Sequence, residues 1–197
     1  MKPVSPLGPW PLAGRFVTLE PLQESHYADL IAAAADPDIW TYFPLDVRKG
    51  YAARLPWFVQ EMAKGTQMTF AVRRLRDGVI VGATSYLAIT PDDARVEIGA
   101  SWYVAGAQGT AVNPEAKYLL LENAFAAGYN RVELKTDSKN MRSRAALKKL
   151  GATEEGILRG HMWMPQGYFR DSVYFSILAK EWPRVKTELE QRLAAFG

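Results

Sequence analysis

The sequence predicts a single mixed α/β (α+β) domain with a central twisted sheet of about six to seven strands flanked by helices. Three observations support this fold class. The predicted elements follow the order β-α-α-β-β-β-α-β-α-β-β-α. No linker, repeat or low-complexity tract interrupts residues 15–195. A chain of 197 residues, 48% of them hydrophobic, is also large enough to bury one substantial core.

The N-terminal half is predicted to run from an extended arm into two helices and a set of strands. Four prolines mark residues 1–14 as an arm that is not packed, so the domain itself spans residues 15–197. Period-two alternation indicates the strands, and apolar stripes that end at Asp-Pro or Gly indicate the helices. In order, these are a strand over 15–21, helices over 24–35 and 51–64, and strands over 66–73, 79–90 and 95–104.

The C-terminal half alternates more regularly between the two element types. A loop of small residues over 105–111 leads to a helix that starts at Asn113-Pro114-Glu115, with Pro in its first turn, and ends near residue 127. Gly128 and Gly151 follow the ends of helices. The remaining elements are strands over 131–137, 152–159 and 168–178, and helices over 140–150 and 180–195.

The composition excludes several kinds of chemistry. The chain has no cysteine, so disulfides, thiolate metal sites and a Cys nucleophile are excluded. Its only histidines are His26, expected on a helix surface, and His161, expected near an acceptor site, so we expect no metal. We find no run of about 18 apolar residues and no signal-peptide core, and we therefore expect a cytoplasmic protein without membrane association.

The positive charge is concentrated in one part of the chain. The net charge is only +3, but residues 131–160 hold eight bases and four acids, which gives this segment +4. A local positive segment suits a small polyanionic ligand better than a long nucleic acid. A solvated basic helix face is the alternative explanation.

A loop that contains Gly106 and Gly109 joins the predicted strand 95–104 to the following helix. A flexible loop at a helix N-terminus presents unpaired N–H groups and the positive end of the helix dipole, which together can bind an anion. The loop lacks the Lys of a Walker motif, and its place in the chain argues against a dinucleotide fingerprint. An ordinary flexible connection is the alternative.

Two neighbouring elements carry side chains that could serve this site. Strict alternation along 95–104 places Val96, Ile98, Ala100, Trp102 and Val104 on one face and Glu97, Gly99, Ser101 and Tyr103 on the other. Glu97 could thus line a cleft, or its face could simply be exposed. On the helix over 140–150, Ser143 shares an inward stripe with Leu147 and Leu150, while Asn140 is placed to cap the helix.

Several motifs resemble the GNAT acyl-CoA N-acetyltransferases, and more narrowly their ribosomal-protein-alanine N-acetyltransferase (RimJ/RimL-like) branch. The longest is the segment 137–159, DSKNMRSRAALKKLGATEEGILR. The others are Glu97-Ile98-Gly99, Asn113-Pro-Glu-Ala-Lys117, Gly167-Tyr-Phe-Arg170-Asp171 and Glu181-Trp182. The motifs occur in the order of the predicted elements and span residues 14–183, nearly the whole chain.

The resemblance implies that residues 15–197 form an acyl-CoA N-acyltransferase domain with acetyl-CoA as cosubstrate. It implies that backbone N–H groups of the loop bind the CoA pyrophosphate, that the end of the preceding strand pairs with pantetheine, and that Asn140 and Ser143 approach the pantetheine arm and the thioester sulfur. The implied cofactor-binding residues are Trp102, Tyr103, Val104, Gln108, Gly109, Thr110, Ala111, Val112, Asn113, Asn140, Arg142, Ser143, Arg144 and Lys148.

The sequence departs from the family at three points. Gly106 occupies the position where the family loop usually has Gln or Arg, and Val112-Asn113 look like an insertion before the helix. The helical Tyr that serves as general acid in many members is also missing, because Ser143 and Leu147 occupy the inward stripe. These departures leave the geometry of the phosphate site and the source of the acid open.

The family implies direct transfer of the acetyl group to a primary amine, without a covalent enzyme intermediate. We expect a backbone N–H near Tyr103 or Val104 to stabilise the oxyanion, and Ser143 to hydrogen-bond the departing thiolate. Glu97 and Glu155 are the candidate bases. The acceptor is a protein N-terminus or a small-molecule amine.

Two other hypotheses about the function stay open. A non-catalytic acyl-CoA-binding or sensing module would also explain the altered loop and the missing Tyr. A nucleic-acid-associated protein that uses the basic helix is the third hypothesis, although the charge does not favour it. The aromatic residues near Trp163 and Tyr168 would permit a homodimer.

Overall fold

The computed structural model describes residues 3–44 and 50–196, which form one mixed sheet flanked by helices. Residues 1 and 2 of the expected arm, and residues 45–49 and 197 of the expected domain, lie outside the described residues. The eight strands are arranged in the order β1-β2-β3-β4-β5-β6-β8-β7. All neighbouring strands are antiparallel except β5 and β6, which are parallel. The predicted fold class is confirmed.

The observed elements follow the predicted order closely. The strands are β1 Leu12–Ala13, β2 Val17–Pro21, β3 Met68–Arg74, β4 Ile80–Thr90, β5 Arg95–Tyr103, β6 Arg131–Asp137, β7 Thr153–Met164 and β8 Tyr168–Leu178. The α-helices are α1 Tyr27–Ala33, α2 Leu55–Ala63, α3 Val112–Ala126, α4 Met141–Lys149 and α5 Trp182–Ala194. Short 3-10 turns precede α1, α2 and α5, and another spans Pro37–Trp40. Among the described residues, no helix is long and apolar enough to span a membrane.

The N-terminal arm differs from the prediction. It is extended, but it packs against the domain: Leu7 is buried in the core, and Ser5 N–H donates to the carbonyl of Ala127. Residues Leu12–Ala13 pair with β2 as the edge strand β1, which brings the sheet to eight strands. The prolines prevented helix formation but did not prevent the burial of Leu7, which lies between Pro6 and Pro9.

The sheet separates two hydrophobic cores. One face packs against α3 and α5 through residues such as Phe70, Leu120, Phe175 and Val185. The other face packs against the N-terminal helical segments around Trp40, Tyr51 and Phe58. His26 was expected on a helix surface, but it is buried, and its Nε2 lies 3.1 Å from Glu20 Oε2 on β2.

Helix α3 is fixed to the sheet by a buried carboxylate. Both oxygens of Glu115 accept backbone N–H groups at the start of β2, from Arg15, Phe16 and Val17, at 2.6 to 2.8 Å. Gly14 allows this approach, because a Cβ atom there would lie 2.4 Å from Glu115 Cδ. Hydrogen bonds to the ionised carboxylate offset the cost of burying it.

A β-bulge in β5 changes which side chains share a face. One residue of β4 lies opposite two residues of β5 between the pairs Ser85–Gly99 and Ala83–Trp102, and Ala100 adopts a left-handed φ of 49°. The predicted strict alternation is therefore wrong beyond Gly99. Tyr103 joins Val96 and Ile98 in the core beside α3, while Trp102 packs in the opposite core.

The parallel strands β5 and β6 separate soon after they begin. They pair only through residues 95–97 of β5 and 131–133 of β6. Beyond this point β5 continues to pair with β4, and β6 continues to pair with β8. The sheet therefore opens between the C-terminal halves of β5 and β6, and α3 and α4 begin beside this opening.

Candidate active site

The open edge of β5 forms one wall of the candidate site. The N–H of Val104 donates to the carbonyl of Val81 on β4 at 2.9 Å. Because successive N–H groups of a strand point to opposite sides, the N–H of Tyr103 points away from β4 and into the opening. Of the three residues expected to pair with pantetheine, the main chain of Tyr103 thus faces the opening, whereas Trp102 and Val104 face β4.

The loop after β5 supplies a set of unpaired backbone donors. The N–H groups of Gly109, Thr110, Ala111 and Asn113 have no hydrogen-bond partner among the described residues. Gly109 has φ of 75°, a left-handed conformation that glycine adopts without strain. Val112 N–H donates instead to Thr110 Oγ1 at 3.3 Å. Together with the N-terminus of α3, these donors form a concave site for an anion.

Gln108 and Arg142 join the loop to α4 across the mouth of the opening. Gln108 Nε2 donates to the carbonyl of Tyr103 at 3.1 Å, and Arg142 Nη1 donates to Gln108 Oε1 at 2.5 Å. The Arg142 guanidinium therefore lies beside the unpaired N–H groups of the loop. This arrangement brings together two residues that the sequence assigned to CoA phosphate binding.

Arg144 and Lys148, by contrast, are paired with an acid on β7. Arg144 Nη2 donates to Glu154 Oε1 at 3.2 Å, and Lys148 Nζ lies 3.1 Å from Glu154 Oε2. These two bases were expected to reach CoA phosphates, and in the structure without CoA both contact Glu154. Their pairing also weakens the case for a basic helix that binds nucleic acid.

The N-terminus of α4 lies on the other side of the opening. Asn140 Oδ1 caps the helix by accepting the N–H of Ser143 at 3.0 Å. Ser143 is half-buried, and it precedes the buried residues Leu147 and Leu150 on the inward side of α4. A narrow gap between α3 and α4 is lined by residues that include Asn113, Lys117 and Leu147.

Glu97 is the carboxylate at the point where β5 and β6 diverge. Its side chain is only 5% exposed, and its Oε2 accepts a hydrogen bond from Lys135 Nζ on β6 at 2.6 Å. Gly99 leaves room for this side chain, because a Cβ atom there would lie 2.8 Å from Glu97 Oε1. Glu97 is therefore the sequence-predicted base that the structure places beside the opening.

Glu155 lies elsewhere. It forms a bidentate ion pair with Arg131, the first residue of β6, and it accepts a hydrogen bond from Ser176 Oγ at 2.8 Å. The Arg131 guanidinium lowers the pKa of this glutamate. In the sheet order, β7 lies three strand positions from β5, which separates the backbones of Glu155 and Glu97 by about 14 Å. The structure does not bring Glu155 together with the other candidate residues.

Lys117 is a residue of the site that the sequence analysis did not single out. It is 7% exposed on α3, and its Nζ donates to Ser101 Oγ beside the β5 bulge at 2.6 Å. Burial lowers its pKa to about 7, although Glu97 opposes the shift. The available sequence signal was its position three to four residues before Leu120 and Leu121, on the buried stripe of α3.

A second cluster of polar side chains lies beside the opening, near the end of β6 and the start of β8. The buried Asp137, the last residue of β6, accepts hydrogen bonds from Tyr168 Oη at 2.7 Å and from Lys139 N–H at 2.8 Å. His161 Nδ1 lies 2.9 Å from Ser172 Oγ, and burial lowers the pKa of His161. Arg170 is buried close to Asp137. Of these six residues, only His161 was predicted at an acceptor site.

The described residues contain no group of three or more His, Asp or Glu side chains that could hold a metal ion. The site is instead defined by an open strand edge that leads into unpaired N–H groups at a helix N-terminus. Such a surface suits an extended ligand with amide groups along its length and an anionic group at one end.

Comparison with known proteins identifies the family. The family described as "Acetyltransferase (GNAT) domain" matches residues 17–153. The chain therefore belongs to the GNAT acetyltransferase family. The family assignment made from the sequence is confirmed, and with it the acyltransferase class.

Relatives support this assignment. The chain is 31% identical over 109 residues to the putative ribosomal N-acetyltransferase YdaF of Bacillus subtilis, covering 55% of this chain and 58% of that protein. A GCN5-related N-acetyltransferase from Brucella melitensis has a TM-score of 0.89 at 29% identity, over 98% of this chain and 89% of that one. Mycobacterium smegmatis RimJ in complex with CoA-disulfide shares the fold, with a TM-score of 0.76 at 24% identity over 88–89% of both chains.

Proposed function

We propose that the protein is an acetyl-CoA-dependent N-acetyltransferase that moves the acetyl group directly to a primary amine. The observation that carries this proposal is the open edge of β5, which is followed in the chain by the unpaired N–H groups of Gly109, Thr110 and Ala111. This edge can pair with pantetheine amides, and the loop can bind the pyrophosphate. The RimJ structure of the same fold, which contains CoA-disulfide, supports the same ligand class here.

The residues around the opening have separate roles in this proposal. Arg142 contributes positive charge at the pyrophosphate, and Asn140 hydrogen-bonds the pantetheine arm, since its cap uses only Oδ1. The Tyr103 N–H is the donor for the carbonyl oxygen on which negative charge develops. Ser143 donates a hydrogen bond to the departing thiolate. We assign the phosphate contact to Arg142 and not to Arg144 or Lys148, which are both paired with Glu154.

Glu97 is the proposed general base. An amine that arrives as an ammonium ion must lose a proton before it can attack a carbonyl, and a buried carboxylate at the divergence of β5 and β6 can accept that proton directly or through water. The ammonium of Lys135 fixes the position of one oxygen and leaves Oε1 without a hydrogen-bond partner among the described residues. The acetyl group of acetyl-CoA is already activated, so no covalent enzyme intermediate is required.

Two measurements test the proposal together. Acetyl-CoA should raise the temperature of thermal unfolding. Release of free CoA thiol should then be stimulated by at least one class of amine in a panel of peptides with free N-termini, amino acids and polyamines.

The outcomes separate the alternatives. Protection by acetyl-CoA with no amine-stimulated release in any class would favour a non-catalytic acyl-CoA-binding module. Protection by oligonucleotides but not by acetyl-CoA would contradict the proposal and favour the nucleic-acid hypothesis.

A further inference from the structure

The guanidinium of Arg170 is buried beside the opening, and one of its N–H groups has no hydrogen-bond partner among the described residues. Arg170 on β8 is 6% exposed, and its Nε–H is unpaired within the described part of the chain. No described carboxylate forms an ion pair with it. Burial lowers the pKa of this arginine, and nearby acidic groups only partly offset the cost of its charge. Burial of a charge whose hydrogen bonds are incomplete is unfavourable, so the fold places Arg170 here at an energetic disadvantage.

The two carboxylates that favour the charge of Arg170, those of Asp137 and Glu97, already accept hydrogen bonds from other groups. Both oxygens of Asp137 accept hydrogen bonds, one from the N–H of Lys139 and one from the hydroxyl of Tyr168. Glu97 Oε2 accepts a hydrogen bond from Lys135. Arg170 thus has acidic neighbours that favour its charge at short range, but none binds the guanidinium itself.

Arg170 lies just beyond the end of β6, on the side of the opening where we expect the amine acceptor to bind. Ser172 pairs with Asp137, the last residue of β6, so Arg170 lies two residues beyond the end of that strand. It is on the same face of β8 as Ser172 and Tyr174. Glu97 accepts a hydrogen bond from Lys135, whose Nζ lies 6.0 Å from the centre of the Tyr174 ring, so Arg170 and the proposed base lie on the same side of the sheet.

The β7–β8 hairpin and the segment after α1 cover this space. Gln166 at the hairpin tip donates from Nε2 to the carbonyl of Trp40 at 3.2 Å and to that of Phe43 at 3.4 Å. These contacts join the tip of the hairpin to the segment after α1, and Arg170 on this hairpin is buried. A guanidinium in such a sheltered place binds a carboxylate more strongly than one in water, through two parallel hydrogen bonds.

We infer that the acceptor of this enzyme is a small primary amine that carries a carboxylate, such as an α-amino acid, and that Arg170 binds this carboxylate. The inference rests on the proposed function and names its substrate class. The carboxylate supplies the missing hydrogen-bond acceptors for the guanidinium, and the amine is then held on the side of Glu97. Arg170 is a specificity-determining residue in this account, and it takes no part in proton transfer.

The test compares acceptors that differ only in the carboxylate. CoA thiol release is measured with a set of α-amino acids, the corresponding amino acid amides, and the corresponding decarboxylated amines, each with saturating acetyl-CoA. The same sets are assayed with Arg170→Gln, Arg170→Lys and the control Arg159→Gln, which removes an exposed arginine of β7. Thermal protection by acetyl-CoA shows whether each variant is folded and binds the cosubstrate.

We expect kcat/KM to be at least about tenfold higher for an amino acid than for its amide or its decarboxylated amine. Arg170→Gln should remove this preference while acetyl-CoA still protects the variant, Arg170→Lys should restore part of it, and Arg159→Gln should behave like the unmodified protein.

Equal kcat/KM for amino acids, amides and decarboxylated amines, or better use of peptides than of amino acids, would overturn the inference and leave the proposed function intact. An equal loss for all acceptors in Arg170→Gln would make Arg170 structural and also overturn it. If acetyl-CoA binds but no amine of any set stimulates release, the proposed function fails, and the inference fails with it.

Discussion

The two candidate bases, Glu97 and Glu155, have different surroundings in the structure. Glu97 is buried where β5 and β6 diverge and is held by one lysine, whereas Glu155 is bound by both nitrogens of Arg131 near the start of β6. The resemblance supported Glu155, and alternation along β5 supported Glu97. Only a structure could decide between them, because the distance from each residue to the opening depends on strand pairing.

Glu97→Gln should lower kcat about 100-fold, because the amide cannot accept the proton from the amine. The affinity for acetyl-CoA should remain unchanged, since Glu97 lies away from the pyrophosphate loop. Amine-stimulated thiol release and thermal protection measure the two effects separately. Glu155→Gln is the matched control and should keep near-normal activity. Full activity in both variants would assign proton removal to water or to the substrate.

Lys117 makes stability depend on pH. Its pKa is about 7 in the folded chain, against about 10.4 in an unfolded one, so between these values the unfolded chain binds more protons and stability rises with pH. The penalty for burying this amine is fully present below pH 7 and disappears above about pH 10. Ser101 keeps Thr84 as a hydrogen-bond partner at 2.7 Å when the lysine is removed.

Lys117→Met should therefore raise the free energy of unfolding more at pH 6 than at pH 9.5. The difference between the two increases should be on the order of a few kcal/mol. Urea denaturation of both proteins at the two pH values measures the free energy of unfolding. If the difference between variant and parent is the same at pH 6 and pH 9.5, Lys117 is not the buried titrating group described here.

At the scale of elements, the loop 105–111 and helix α4 were predicted well because their signals are local. Gly109 adopts the left-handed conformation that its residue type suggested, and Asn140 caps α4 as its position indicated. The bulge at Ala100 left no comparable signal, since alanine rarely adopts a positive φ. Pairing with β4 imposes it, and this long-range contact reversed the predicted faces of Trp102 and Tyr103.

Gly109→Val should weaken acetyl-CoA binding at least about tenfold, because a β-branched residue at φ of 75° is strained by roughly 1–2 kcal/mol and shifts the unpaired N–H groups. Gly106→Val is the matched control. Both glycines have open space around them, but Gly106 lacks a positive φ. Thermal protection titrated with acetyl-CoA measures the affinities. Equal affinities in both variants would mean that the loop does not bind the pyrophosphate.

At the scale of the whole molecule, the order of elements and the fold class followed from periodicity and turn residues. The packing of the N-terminal arm could not be predicted in this way, because burial of Leu7 depends on the surface that α3 and the sheet offer to it. The contacts of Arg144, Lys148 and Arg170 could not be predicted from the sequence either. A basic residue in a sequence shows its charge but not its partner, and only the fold pairs the first two with Glu154 and leaves Arg170 unpaired.

The central claim is that the separation of β5 and β6 creates the binding site for acetyl-CoA. A crystal structure of the protein with bound CoA tests it most directly. We expect pantetheine along the open edge of β5, hydrogen-bonded to the N–H of Tyr103, with the diphosphate on the N–H groups of Gly109, Thr110 and Ala111. CoA bound outside the opening, with these N–H groups unpaired, would contradict it.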